Sequence, residues 1–172
     1  MGGGPAVVLV GPMGVGKSTV GAILAERLGV TCRDTDRDIV ESTGREISEI
    51  FLDEGEPAFR ELERAAVRTA LAEHTGVLAL GGGAVLAEET RALLAGHRVA
   101  FLEIDVHAAV KRVGLDAPRP LLVINPRQQW RKLMEERRPL YTEVARVTVG
   151  TGDRTPEEVA DAILDALELK EA

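Results

Sequence analysis

The sequence predicts an α/β protein: an open, mostly parallel, five-stranded sheet with helices on both faces, a three-layer α/β/α arrangement. Three observations predict it. AVVLV at 6–10 is a short continuous apolar run of the kind covered on both faces of a parallel sheet, and VLAL at 77–80 and VAFLEI at 99–104 read as further strands. The stretches between them space apolar residues three and four apart, the period of a helix with one buried stripe. The composition suits such a core: 45% of the 172 residues are hydrophobic and only 3% aromatic, so the interior is Leu, Val, Ile and Ala. A chain of this length is expected to form a single domain, 1–172, with a sizeable core.

The first strand, 6–10, leads into a helix from Lys17 to Leu28, with Val20, Ile23, Leu24 and Leu28 on one stripe and Gly29 ending it. VTCR at 30–33 is a weaker second strand. Helical stretches follow at 38–43 and 47–53, then a long one at 57–74 stopped before Gly76. The strands at 77–80 and 99–104 flank a helix at 88–95, and another helix is expected to begin near Val106. GLDAPRPLLVINP, 114–126, holds three prolines and a glycine without periodicity and reads as a mobile loop. A helix at 127–137 and a strand at 146–149 come next. The last helix opens with Thr155, Pro156 and Glu158, an N-cap, a proline at the first helical position and a capping-box acid. No repeat, low-complexity tract or linker interrupts this order.

Charge and rare residues exclude several function classes. A net charge of −7 argues against a nucleic-acid partner, which calls for a basic face. Seventeen of the 21 basic residues are Arg, a bias suited to planar recognition of carboxylates and phosphates, although GC-rich coding also produces it. Cys32 is the single cysteine, so no internal disulfide forms, and no His stands near it in sequence as a catalytic partner. His74, His97 and His107 share no metal-ligand spacing and read as surface or boundary residues. No apolar run reaches the ~18–20 residues of a membrane span. The opening MGGGP lacks the basic and apolar stretches of a secretory leader. A soluble, cytoplasmic protein is expected.

GPMGVGKST, 11–19, fits GxxxxGK[ST] with Gly11, Gly16, Lys17 and Ser18, directly after a strand and directly before a helix. That context is what the chemistry demands of a P-loop. Backbone N–H groups of the loop and helix start cradle a β-phosphate, Lys17 reaches β/γ oxygens, and the Ser18 hydroxyl holds Mg²⁺. A dinucleotide fingerprint is the obvious rival, but the glycines run GxxGxG rather than GxGxxG, and Lys-Ser-Thr has no role there.

RDTDRD at 33–38 places Asp34 and Asp36 two apart at the carboxyl end of a strand, so extended geometry would point both the same way. Beside a Mg²⁺–phosphate centre, one acid suits the metal's water shell and the other an acceptor hydroxyl. The alternative is that these acids cap the following helix, a role assigned here to Asp38. Arg60 in FRELE has Glu63 three residues on, close enough on a helix to fix its guanidinium. Arg137 and Arg138 precede PLY, and Arg119 lies in the mobile loop. Any one Arg is more often solvated; the set points to a small anionic acceptor. In VLALGGGAVL, 77–86, Gly81, Gly82 and Gly83 surrender more chain entropy than a turn requires and present bare backbone to whatever lies opposite.

GPMGVGKST, DTD, FRELE, LGGGAV, RPLL and RRPLY, in that order along essentially the whole chain, strongly resemble the shikimate kinase family of the nucleoside-monophosphate-kinase-like P-loop fold. The resemblance implies a kinase that moves the ATP γ-phosphoryl group to the 3-hydroxyl of shikimate, on the route to chorismate and the aromatic amino acids. It implies that Gly14, Val15, Gly16, Lys17, Ser18 and Thr19 bind the ATP phosphates, and that one Mg²⁺ sits at Ser18 and, through water, Asp34. Asp36 would contact the shikimate hydroxyls as catalytic base, and Arg60 and Arg137 would grip its carboxylate, Arg138 occupying the variable position of Arg-x-Pro-Leu-Tyr. Gly81, Gly82 and Gly83 would leave room for the carbocycle, their N–H groups bonding its oxygens. Arg119 would be a catalytic lid residue on the phosphates, within a lid at 114–126, and Arg112 and Arg154 would flank adenine. The shikimate-binding helical region would span 36–63. ATP and shikimate would be the partners of a monomer, with no nucleic acid or membrane. A gluconate kinase of the same fold and a non-catalytic nucleotide sensor stay open as alternatives.

Overall fold

The computed structural model describes residues 4–103 and 126–171. Five parallel strands form one sheet in the order β2-β3-β1-β4-β5. They are β1 (Val7–Val10), β2 (Cys32–Asp34), β3 (Val77–Ala79), β4 (Val99–Glu103) and β5 (Val147–Gly150). The described helices are α1 (Lys17–Leu28), α2 (Thr35–Thr43), α3 (Ile47–Glu54), α4 (Glu56–Glu73), α5 (Glu88–Leu94), α6 (Pro126–Val144) and α7 (Pro156–Ala166), with a 3₁₀ turn at Ala84–Leu86. The sheet and its helices are those the apolar runs and helical stripes predict. The helix expected near Val106, the 114–126 loop, Arg112 and Arg119 lie outside the described residues.

β1 is central because it is apolar on both faces. Val7, Val8, Leu9 and Val10 are all buried, and β1 pairs with β3 (Val7↔Val77) and with β4 (Val8↔Val99). From β1 the chain moves outward to β2, whereas from β3 it crosses over β1 to β4. Right-handed crossovers in opposite directions put helices on opposite faces; accordingly α1 packs with α7, and α4, α5, α6 and the 3₁₀ turn pack together. The reversal leaves a crevice at the carboxyl ends of β1 and β3, where open α/β sheets bind ligands.

Two apolar clusters result. The larger surrounds the sheet; the smaller joins Ile39 of α2, Ile50 of α3 and Phe59 of α4, with Ile47, Phe51, Leu62 and Ala66 against them. The smaller cluster stands beyond the edge strand β2 and forms one wall of the crevice.

Several boundaries differ from expectation. β2 runs 32–34 rather than 30–33, and α2 begins at Thr35 rather than at 38, so the strand passes straight into the helix. Asp34 is therefore the N-cap, accepting from the N–H of Asp36 at 2.8 Å. Asp38 is not the cap: Arg33 Nε holds its carboxylate at 2.7 Å. α6 does not stop at 137 but runs through Pro139 to Val144. Proline removes one helical hydrogen bond, while packing of Leu140 and Val144 and complete burial of Tyr141 hold the next turns against the core. At α7 the expected capping box is present: Thr155 Oγ1 accepts from Glu158 N–H at 3.1 Å and Glu158 Oε1 from Thr155 N–H at 2.8 Å.

Candidate active site

The loop after β1 takes its shape from glycine. Gly11, Gly14 and Gly16 have φ of 150°, 85° and 99°, values that side chains rarely tolerate. A Cβ at Gly11 would also sit 2.6 Å from the Leu102 carbonyl oxygen. α1 starts with no side-chain cap and no acid in its first turn, which suits an anion at its positive end. Lys17 Nζ folds back on the loop, donating to Gly11 O at 2.6 Å and Pro12 O at 3.0 Å. Val15 buries its side chain in the core, so only its backbone can serve a ligand.

Across from the loop, Ser18 Oγ donates to Asp34 Oδ2 at 3.4 Å, while Asp34 Oδ1 caps α2. The pair offers hard oxygen atoms beside a phosphate cradle, the donor set that fits Mg²⁺. Among the described residues no group of three or more His, Cys, Asp or Glu could hold a metal by itself. Nearby Cys32 is exposed at the edge strand, and desolvation together with the Asp34 charge pushes its thiol up, which disfavours the thiolate.

Asp36 reaches the cleft, though not by strand alternation, since it lies in the first turn of α2. It packs against the glycine turn: a Cβ at Gly81 would meet Asp36 Oδ1 at 2.5 Å and Glu63 Oε2 at 3.1 Å, and one at Gly83 would overlap the Arg60 guanidinium. None of the three glycines has positive φ, so space rather than conformation requires them. The expectation that the turn is bare for a ring is thereby corrected in part. Protein side chains fill the places over Gly81 and Gly83, and the Gly81 N–H is taken by Thr35 Oγ1 at 3.2 Å. Gly82 faces Met13 N and Gly11 O of the phosphate loop, with Arg137 Nη1 3.8 Å from its Cβ position.

Arg60 is held from three directions. Glu63 Oε1 accepts from Nη1 at 2.7 Å, Glu56 lies 3.1 Å away, and the guanidinium rests over the rings of Phe59 and Phe51 at 5.2 and 5.8 Å. Glu63 is buried, which raises its pKa against the lowering effect of Arg60 and Arg137. The two adjacent arginines of α6 part company. Arg137 is buried and lines the cleft, whereas the exposed Arg138 pairs with Glu103 at the end of β4.

The structure thus gathers Gly14, Gly16, Lys17, Ser18 and Asp34 at one end of a cleft of about 740 Å³, and Asp36, Arg60, Gly82, Gly83 and Arg137 at the other. Gly81 and Thr19 are not among the lining residues. Nor is Arg154, whose exposed guanidinium donates to Gly150 O at 2.9 Å beyond β5, on the same side of the sheet as the phosphate loop. The aromatic ledge of Phe51 and Phe59 and the anchors Thr35 and Tyr141 were not singled out from sequence. Phe59, Thr35 and Tyr141 stand inside the quoted motifs FRELE, DTD and RRPLY, which is the signal that could have found them; Phe51 lies outside every quoted motif.

The cleft thus has a phosphate loop at one end and two arginines at the other. The shikimate kinase family model matches residues 13–168. The chain belongs to the shikimate kinase family. It is 71% identical over 168 residues, 98% of each chain, to a shikimate kinase of Streptomyces avermitilis, and 70% identical over the same length to that of Streptomyces coelicolor. Its fold superposes on shikimate kinase from Acinetobacter baumannii, solved in complex with shikimate, with a TM-score of 0.91 and 40% identity over 96% of this chain and 93% of that one. Among the described residues no helix is long and apolar enough to cross a membrane.

Proposed function

We propose that the chain transfers the γ-phosphoryl group of ATP to the 3-hydroxyl of shikimate, giving shikimate 3-phosphate and ADP. The observation that carries this is the single cleft joining the loop of Lys17 and Ser18 to Asp36, Arg60 and Arg137. Its two ends suit the two substrates: oriented N–H groups and a lysine for a polyphosphate, and two guanidiniums for a carboxylate.

Phosphoryl transfer asks for in-line positioning and for cations on the equatorial oxygens more than for covalent chemistry. Arg60 and Arg137 bind the shikimate carboxylate and so fix where the ring's hydroxyls fall. Asp36 accepts the proton of the attacking hydroxyl as its oxygen bonds to phosphorus and the bond to the ADP oxygen breaks. Lys17, now on Gly11 O and Pro12 O, turns to the phosphates when they arrive. Ser18 and, through water, Asp34 would hold one Mg²⁺, which would supply charge neutralisation at the phosphates. Gly14 to Thr19 supply the remaining phosphate contacts. By family resemblance Arg119 completes the charge on the transferring group, and Arg112 and Arg154 flank adenine. The same reading takes the protein as a cytoplasmic, single-domain monomer; the net charge of −7 supports the absence of a nucleic-acid partner.

A coupled assay of ADP release tests the reading. Shikimate raises turnover far above the hydrolysis background and shikimate 3-phosphate accumulates in step with ADP. Turnover raised by gluconate and not by shikimate would overturn it.

A further inference from the structure

Tyr141 takes no part in the chemistry above, yet it is completely buried directly behind the acceptor end of the cleft. It stands four residues after Arg137 on α6, one turn along the same face. Its ring stacks on Phe101 of β4, with centroids 4.9 Å apart and planes at 28°. Its hydroxyl donates to Gly82 O at 2.6 Å, and Gly82 is the residue the Arg137 guanidinium rests beside, Nη1 lying 3.8 Å from its Cβ position. A phenol has one proton to give, and here it is committed to Gly82 O.

We propose that Tyr141 is a positioning residue for the acceptor: its hydroxyl fixes the glycine turn against which the Arg137 guanidinium rests and so presets the arginine before the carboxylate arrives. The proposal rests on the shikimate reading above. Thr35 Oγ1 secures the opposite side of the same turn through the Gly81 N–H, so two hydroxyls from separate helices fix the backbone between them. Burial pushes the Tyr141 phenol up to about 12, so it stays a donor throughout the working pH range. Arg137 is itself buried, with Nη1 beside Gly82 in the lining of the cleft. A guanidinium held in this way loses less rotamer freedom when it binds an anion.

Tyr141→Phe keeps the ring and its stacking and removes the bond to Gly82 O. KM for shikimate should rise about threefold to tenfold, the loss expected of one neutral hydrogen bond, with KM for ATP unchanged. In a crystal structure of the unliganded variant, the Arg137 guanidinium should have left its place beside Gly82. A purely structural Tyr141 would instead lower the melting temperature and the active fraction, leaving both KM values and Arg137 where they are. Should the variant not fold, the parent protein still decides. Tyr141 is the chain's only tyrosine, so ring-fluorinated tyrosine gives a single fluorine resonance. That resonance should shift on saturation with shikimate and not with nucleotide; a signal indifferent to shikimate overturns the proposal. If the parent enzyme shows no shikimate-dependent turnover, the functional reading fails, and the position of Arg137 in the variant crystal still decides the role of Tyr141.

Discussion

Gly83 lies where a single methyl group would enter the space of the Arg60 guanidinium. Its φ of −100° is open to any residue, so Gly83→Ala introduces no backbone strain and the flexible arginine gives way. Stability should fall because buried Glu63 loses its cation, and KM for shikimate should rise because Arg60 is displaced; melting curves and steady-state kinetics on one preparation read the two effects. The arginines of α6 allow a sharper comparison. Breaking a buried charge-assisted pair costs about 2–5 kcal/mol, so Arg137→Ala should weaken shikimate binding severely. Arg138→Ala removes only an exposed pair with Glu103 and should leave binding close to normal; the reverse order, read by calorimetric titration, would put the wrong arginine in the cleft. Asp36→Asn should lower kcat by about 10²–10⁴, the usual worth of a general base, with nucleotide affinity retained. Near-normal turnover in that variant would remove Asp36 from proton transfer.

At the scale of elements, α2, α3 and α4 close the acceptor end around the small cluster of Ile39, Ile50 and Phe59. Ile50 is fully buried there, and Ile50→Ala should cost about 2–5 kcal/mol through lost burial and the cavity left behind. Because this cluster is separate from the sheet core, the damage should fall unevenly, raising KM for shikimate and loosening amide protection over 35–66 well before β1 or β4. Equal loss of protection across the sheet would mean that the two clusters melt as one. The elements themselves are largely legible in the sequence, since an apolar run such as VVLV and a stripe such as that of α1 are local signals. Where sequence reading misplaces a boundary, a partner from elsewhere in the chain decides it. Asp38 has the credentials of a cap, but Arg33 takes its carboxylate and Asp34 caps instead. Pro139 looks like a helix end, but buried Tyr141 carries the helix past it.

At the scale of the whole molecule, the glycine turn is the joint between two bodies. Asp36 and Arg60 reach it from the small cluster, Arg137 and Tyr141 from α6 on the sheet, and Met13 from the phosphate loop. From sequence the three glycines mark close approach, but not what approaches, because Asp36 and Arg60 arrive from elements 45 and 23 residues earlier. A carboxylate held by Arg60 on one side and Arg137 on the other would cross this joint, whereas a nucleotide on the phosphate loop touches the sheet body and the first turn of α1. The two ligands should therefore stabilise different parts of the molecule. Either one at 100 times its Kd adds about 2.7 kcal/mol to global stability. Only shikimate, however, should protect the amides of α2, α3 and α4 against local opening, because only shikimate ties the small cluster to the sheet. Hydrogen exchange with shikimate alone, nucleotide alone and both reads this directly. Protection of 35–66 that follows the nucleotide and ignores shikimate would sever the proposed bridge, because Arg60 and Arg137 could not then be gripping one anion between them.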